Sequence, residues 1–490
     1  GDAAACRVDQ AALWGLGRVI ALEHPDLWGG LVDLDPTASP DEAERLAREV
    51  YEATGGPAAE QVAWRQDQRF TARLQASSLP ASRTRFAADP NGTYLITGGL
   101  GGLGLKVAQW LVMQGAGGLV LVGRQGTVPE KMRPVVAQWQ QAGVSVTVEA
   151  LDVSDRRAVE ACIAGIAARG HTLRGVVHAA GVLEDAMLMK QTWQGFEKAF
   201  APKVKGAWNL HQATAGLELH LFVLFSSVAA VLGLPGQSNY AAANAALDAL
   251  AHHRRARNLA ATSVNWGQWS DVGMAADSLG RHVSAWTQRG LGLIHPPQGI
   301  TALGQALEAR FPVVAISPVE WPKLADAMMR PPVMAELAKA AGQARTTHVQ
   351  GTLLIHELAA LPPAERRARL GQIVSGVVCK VLGLPAKTTL QPRQALKDLG
   401  LDSMLAITLR NTLGTELGHP MPATLAFDYP TLETLTKFLE GELPFGEAGQ
   451  IGQSDEANKS EELREVFGLL TQIESQYSKA EVEKLLASLA

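Results

Sequence analysis

The sequence predicts an α/β fold built on a parallel sheet, followed by a separate all-α unit. Three observations carry this. Over residues 89–330 short Val/Leu/Ile runs alternate with amphipathic stretches, the pattern of βα units. A glycine-rich turn, Thr97-Gly98-Gly99-Leu100-Gly101-Gly102-Leu103-Gly104, stands between one such run and a helical stretch. From 363 to 443 the periodicity is purely helical, with Pro and Gly in the connections.

Taken in order, residues 1–88 mix a helix (Ala11 to Leu22), a strand (Gly30 to Leu34) and an exposed helix (Pro40 to Thr54). Expected sheet strands in 89–330 are Tyr94 to Ile96, Gly118 to Val122, Val144 to Leu151, Gly175 to His178 and Leu221 to Phe225. Helices are expected at Leu105 to Met113 and Tyr240 to Arg254. Residues 331–362, Ala-rich and Pro-bounded, read as a partly helical linker. In 363–443, Ile373 to Leu382 forms one apolar helix, and Leu405, Leu409 and Leu413 form one face of another. Phe427-Asp428-Tyr429-Pro430-Thr431 opens a last helix. Residues 444–459 are Gly/Ser/Glu-rich and aperiodic, a flexible tether. In 460–490, Leu463, Val466, Phe467, Leu470, Ile473 and Tyr477 share one helical face. Ser478 and Glu481 make a capping box for a second short helix.

Length and composition bound the rest. A chain of 490 residues suits about three domains. Abundant Ala and Gly with few aromatics fit α/β layers and bundles rather than a β-sandwich. A net charge of −4 offers no electrostatic footprint for nucleic acid. Cys6, Cys162 and Cys379 lie far apart with no CxxC or Cys/His spacing, so neither a disulfide framework nor a metal site is expected. This usage points to a reducing cytosol. No apolar run reaches membrane-spanning length, and no basic segment precedes an apolar one at the start. Gly1 reads as an opening partway through a domain.

The glycine loop follows a strand and runs into a helix, the setting of a dinucleotide site. Glycines there permit a tight turn and let backbone N–H groups approach a pyrophosphate at the helix N-terminus. About 20 residues on, an acid would hold a ribose 2′-hydroxyl. The next strand ends instead in Leu121-Val122-Gly123-Arg124, and a guanidinium there suits a 2′-phosphate. NADPH is therefore expected rather than NADH. Asp152 reads as an adenine contact or as an ordinary strand-end acid.

Ketone reduction needs a hydride donor and a proton donor for the developing alkoxide. A tyrosine serves if a nearby cation lowers its pKa from about 10. Ser227 and Tyr240 are separated by 13 residues, one at a strand end and one opening a helix. This resembles the short-chain dehydrogenase/reductase superfamily, whose members mostly carry Lys four positions after the tyrosine. Asn244 stands there instead, which resembles the ketoreductases of modular polyketide synthases and animal-type fatty acid synthases, where lysine and asparagine are exchanged. Lys203, in Ala201-Pro202-Lys203-Val204-Lys205-Gly206, matches their lysine, with Lys205 the second choice. His178-Ala179-Ala180-Gly181, beside the cofactor, and Val264-Asn265-Trp266-Gly267 also match. Trp14-Gly15-Leu16-Gly17-Arg18 resembles the second half of the family's structural subdomain, so 1–88 reads as a truncated one.

The resemblance implies a Rossmann-like domain with Tyr240 as proton donor and Lys203 lowering its pKa while orienting the ribose. It further implies Ser227 on the substrate carbonyl and Asn244 in the polar network. Leu183-Glu184-Asp185 resembles the Leu-Asp-Asp motif of B-type ketoreductases, with Glu in the middle place. Leu232 stands where A-type enzymes have tryptophan, and Pro235 and Asn239 fit the B-type pattern. A D-configured β-hydroxy product is the expectation.

Gly400-Leu401-Asp402-Ser403-Met404 places a serine at a helix start, where unpaired N–H groups and the dipole favour a phosphodiester. Residues 363–443 resemble the four-helix acyl carrier protein, whose serine bears 4′-phosphopantetheine; an N-capping serine is the plainer reading. Free-standing carriers are usually strongly acidic, whereas this stretch holds 8 acidic and 9 basic side chains. Tethering to the reductase lessens the need for electrostatic steering.

The terminal helices resemble docking segments joining one polyketide synthase subunit to the next, or else form a hairpin packed on the carrier. The implied partners are the acyl chain on the chain's own carrier, upstream synthase domains, a downstream subunit and a phosphopantetheinyl transferase, with a homodimer in the full assembly. A fatty acid synthase segment and a non-reducing scaffold are the rival readings.

Overall fold

Gly92–Thr97 is buried at all six positions, as a strand covered on both faces must be. The computed structural model describes residues 7–37, 42–55, 61–77, 86–270, 290–320, 332–340 and 354–445, less isolated positions at 67, 356, 383, 386, 387, 389, 402, 418, 420, 423 and 444. Asp402, Cys6, the docking helices and nearly all of the expected tether lie outside the described residues.

The N-terminal part comprises α1 (Val8–Glu23), β1 (Leu31–Asp33), α2 (Glu42–Gly55), β2 (Gln61–Arg65) and β3 (Gln68–Thr71). β2 pairs parallel with β1 and antiparallel with β3, giving a three-stranded sheet. The sequence reading has β1 but lacks β2 and β3. Their residues (Gln-Val-Ala-Trp-Arg and Gln-Arg-Phe-Thr) are too polar and too short to stand out.

The main sheet holds β4 (Gly92–Thr97), β5 (Gly118–Gly123), β6 (Ser145–Ala150), β7 (Thr172–His178), β8 (Leu221–Ser227), β9 (Thr262–Trp266) and β10 (Val313–Ile316). All pairings are parallel, in the order β10-β9-β8-β7-β4-β5-β6. Side chains alternate across it. Tyr94, Ile96, Leu121, Val177, Val223 and Val264 face one core; Leu95, Val120, Val122, Val176, Phe222 and Leu224 face the other. This is the Rossmann-like architecture expected. Strand order reverses between β4 and β7, so a crevice opens beyond their C-terminal ends, where Thr97 and His178 lie.

Helices flanking the sheet are α3 (Gly102–Met113), α4 (Arg133–Gln141), α5 (Arg156–Ala168), α6 (Trp193–Phe200), α7 (Gly206–Thr214), α8 (Ala229–Leu232), α9 (Ser238–Ala256) and α10 (Pro296–Ala309). α1 lies against α9 so closely that a Cβ on Gly15 would sit 2.2 Å from the Ala241 carbonyl oxygen. Arg18 extends the same seam, donating to Gln61 Oε1 at 2.8 Å and to the Ala230 carbonyl. The tryptophan–glycine–arginine motif is thus a packing device that fixes α9 from behind.

A second, separate core belongs to α11 (Pro363–Leu382), α12 (Ser403–Leu417), α13 (Leu425–Asp428) and α14 (Leu432–Glu442). Leu370 and Val374 of α11, Leu409 and Leu413 of α12, and Leu435 and Leu439 of α14 are fully buried in it. Leu409 and Leu413 belong to the face anticipated from spacing, and Leu405 packs at its margin. α14 begins with a reciprocal Thr431–Thr434 capping box. The stretch expected as a partly helical linker has a short helix at Ala335–Ala340, and its start is anchored to the reductase. The Leu74 N–H donates to the Val333 carbonyl at 2.7 Å, and Val333 and Met334 are buried beside Leu232 and Leu291.

Candidate functional site

The ends of β7, β8 and α9 converge on one polar cluster. α6 runs on into α7 through a π-helical turn, Ala201–Lys205, of the kind that recurs at functional positions. That turn aims Lys203 inward, where it is 3% exposed. Its Nζ donates to the Phe225 carbonyl at 2.9 Å and to Asn244 Oδ1 at 2.8 Å. Lys205 stays on the surface near Glu197, at 3.9 Å, so the two lysines have separate fates.

Asn244 explains how lysine and asparagine exchange places. From α9 its Oδ1 accepts from Lys203 while its Nδ2 donates to the Tyr240 carbonyl at 2.8 Å. The amide therefore bridges the imported cation to the helix that carries the tyrosine. Lys203 Nζ lies 5.0 Å from the centre of the Tyr240 ring. Ser227, the last residue of β8, accepts from the Ala229 N–H at 3.2 Å.

Burial pushes the Tyr240 phenol up to about 12, aided by the Asp185 carboxylate; hydrogen bonds with Asn244 and Ser227 act the other way. The sequence expectation was a lowered phenol, and here the direction is reversed because desolvation outweighs the polar neighbours. Burial likewise brings the Lys203 ammonium down to about 7, with Asp248 opposing it. Tyr240 is thus a protonated phenol at neutral pH.

Behind these groups lies a network that the sequence reading missed. Asp248 accepts from Ser263 Oγ at 2.6 Å and from Asn265 Nδ2 at 2.7 Å. Asn265 Nδ2 also donates to Ser226 Oγ at 2.9 Å, and Ser226 Oγ donates to the Asn244 carbonyl at 3.1 Å. Burial raises the Asp248 carboxyl to about 6. The signal available was its place four residues after Asn244, one turn along the same helix face.

At the crevice, Gly98 turns the chain with φ +65°. A Cβ on Gly104 would lie 2.2 Å from the Gly98 carbonyl oxygen, so α3 and the loop can close only with glycine there. α3 has no side-chain cap and no acid in its first turn, so its leading N–H groups suit a pyrophosphate. The loop is stitched to β7 by the Ala179 N–H to Thr97 carbonyl bond, 3.1 Å. His178 is fully buried, with Nε2 3.0 Å from the Lys203 carbonyl and Nδ1 2.7 Å from Thr97 Oγ1. Since a carbonyl only accepts, Nε2 carries the proton and Nδ1 accepts from threonine. Burial keeps this imidazole neutral, down to about 4.

Arg124 is exposed at the end of β5, and its charge helps lower Asp152, whose carboxylate chiefly accepts from Ser154. The expected nucleotide-contacting residues thus gather at one crevice, which fits a dinucleotide with an extra phosphate.

Leu183, Glu184 and Asp185 form a segment tied to the first turn of α9 and the loop before it. Asn239 Nδ2 donates to the Glu184 carbonyl at 2.9 Å, and Gln237 Nε2 donates to Asp185 Oδ2 at 3.0 Å. Pro235 is buried in that loop. Glu184, at the position that departs from the motif, is exposed and pairs with Lys198 at 2.9 Å. Ser403 opens α12, as expected from its motif.

Comparison with known proteins agrees with both halves. Residues 92–271 match the family described as KR domain, and residues 372–439 match that described as phosphopantetheine attachment site. Polyketide synthase GfsA of Streptomyces halstedii is 39% identical over 442 residues, 89% of this chain and 6% of the relative. Pikromycin polyketide synthase component PikAIII of Streptomyces venezuelae is 37% identical, over 88% of this chain and 28% of its own length. The chain therefore spans a small part of these relatives. A solved structure of A-type ketoreductases from a modular polyketide synthase is similar with TM-score 0.61 and 40% identity, over 68% of this chain and 70% of that one. The first ketoreductase of the tylosin synthase gives 0.59 and 36%, over 69% and 71%.

Proposed function

This chain belongs to the modular polyketide synthases, of which it holds a ketoreductase domain and a carrier domain, and we propose that the two work on one tethered substrate. Ser403 bears 4′-phosphopantetheine, and the arm presents a β-ketoacyl thioester to Tyr240. The observation that carries this reading is the Lys203–Asn244–Tyr240 arrangement, with Lys203 and Asn244 buried and Tyr240 half-buried beside an intact nucleotide loop.

The loop from Thr97 to Gly104 holds the pyrophosphate, Arg124 pairs with the 2′-phosphate, Asp152 lies beside the adenine, and His178 to Gly181 wall the nicotinamide end. NADPH, when bound, supplies the hydride that reaches the carbonyl carbon. Ser227 hydrogen-bonds the carbonyl oxygen and holds it within reach of Tyr240. As negative charge develops on that oxygen, the Tyr240 hydroxyl gives up its proton. A phenol near 12 keeps its proton at neutral pH until an alkoxide, a stronger base, draws it away. Lys203 donates two of its three N–H groups to Phe225 and Asn244, so the third serves the ribose while its charge faces the developing phenolate. Asn244 holds that ammonium in place, and Asp248 supports its charge.

Asp185, Leu183, Pro235 and Asn239 favour one substrate face, and the product is the D-β-hydroxyacyl thioester. The A-type label of a 40%-identical structure belongs to that protein; handedness rests on a few side chains at the loop rather than on overall identity. The reduced chain then passes to a downstream subunit through the C-terminal helices. A simple β-ketoacyl thioester offered with NADPH should be reduced, and chiral chromatography should find the D-hydroxy product. An L product would overturn the handedness, and no NADPH consumption would favour the non-reducing scaffold.

A further inference from the structure

The last residues of α1 join the carrier to the loops around the reducing site. Arg410 of α12 is 2% exposed, and its guanidinium donates to the Glu23 carbonyl at 3.0 Å and to the Leu22 carbonyl at 2.7 Å. These carbonyls end α1, where the backbone has no further helical partner and where the dipole favours a cation. Glu23 is 2% exposed, and its side chain turns the other way. Its Oε1 accepts from the Gly236 N–H and its Oε2 from the Leu188 N–H, each at 2.7 Å. Gly236 stands four residues before Tyr240, and Leu188 three residues after Asp185. One residue thus meets the carrier with its backbone and braces both loops at the site with its carboxylate.

We propose that the C-terminus of α1 is the docking site for the chain's own carrier domain, anchored by Arg410. Position along α12 supports this. Arg410 follows Ser403 by seven residues, two turns, so it lies about 10 Å further along the axis and within about 20° of the same face. A carrier held by Arg410 therefore presents the start of α12 on its reductase-facing side. Charge supports it too. With acidic and basic groups nearly balanced, this carrier has no strong field of its own, and a guanidinium on two helix-end carbonyls gives a directional contact instead.

The proposal rests on the reading of Ser403 as the substrate's point of attachment. Its test measures single-turnover reduction of a β-ketoacyl chain loaded on Ser403, and reduction of a diffusible β-ketoacyl thioester, in the full chain and in Arg410→Ala. Loss of a charge-assisted pair of hydrogen bonds should slow tethered reduction by about tenfold or more. The diffusible thioester should be reduced as before, and a phosphopantetheinyl transferase should still load Ser403, which shows the carrier folded. Unchanged tethered reduction in the variant would overturn the docking site, as would an equal loss with both substrates. If the unaltered chain fails to reduce its loaded carrier at all, the attachment reading itself falls.

Discussion

Tyr240→Phe should lower ketone reduction by about a thousandfold while leaving the protein folded, since a positioned general acid contributes roughly 10²–10⁴. The ring stays in place beside Lys203, and Asn244, one turn further along α9, still donates from Nδ2 to the Tyr240 backbone carbonyl. Only the proton donor is lost. Steady-state turnover with a diffusible thioester measures the first effect, and thermal unfolding the second. Turnover within a few fold of the unaltered protein would remove Tyr240 from the chemistry.

The second large effect comes from outside the site. Gly15→Val should destabilise the reductase by about 3 kcal/mol or more, beyond the usual range for a surface change. Even one carbon there would lie 2.2 Å from the Ala241 carbonyl oxygen, and the obstacle is backbone that cannot rotate aside. Relief requires α1 and α9 to separate, and α9 carries Tyr240, Asn244 and Asp248. Reduction by the folded fraction should therefore fall as well. Leu13→Ala, on the same helix but 52% exposed, serves as the comparison and should change stability by less than about 0.5 kcal/mol. Equal melting temperatures for the Gly15 and Leu13 variants would contradict this packing account.

These two residues also mark where sequence reading succeeds and where it stops. Tyr240, Asn244 and Ser227 are legible because their chemistry needs fixed spacing along one helix and one strand end. The glycine loop is legible because tight backbone approach tolerates few alternatives at Gly98 and Gly104. Strands β4, β5, β7 and β8 stand out because burial on both faces leaves near-continuous apolar runs.

What escapes is whatever long-range contact creates. β2 depends on pairing with β1, and β3 on pairing with β2, and neither has an apolar signature of its own. Asp248 looks like an ordinary helix acid until Ser263 and Asn265, from a strand beyond the helix, close over it. The phenol's direction of shift also depends on burial, which spacing cannot supply. Arg410 and Glu23 are separated by 387 residues, and no local pattern announces their meeting.

The central claim is that Tyr240 acts on a chain held by Ser403. Intact-protein mass spectrometry tests it directly: the carrier is converted to its phosphopantetheine form, loaded with a β-ketoacyl chain, and weighed before and after NADPH is added. The account predicts a gain of two hydrogens on the chain attached at Ser403, lost in Tyr240→Phe. A loaded carrier whose mass does not change with NADPH, or a chain attached at another residue, would contradict it.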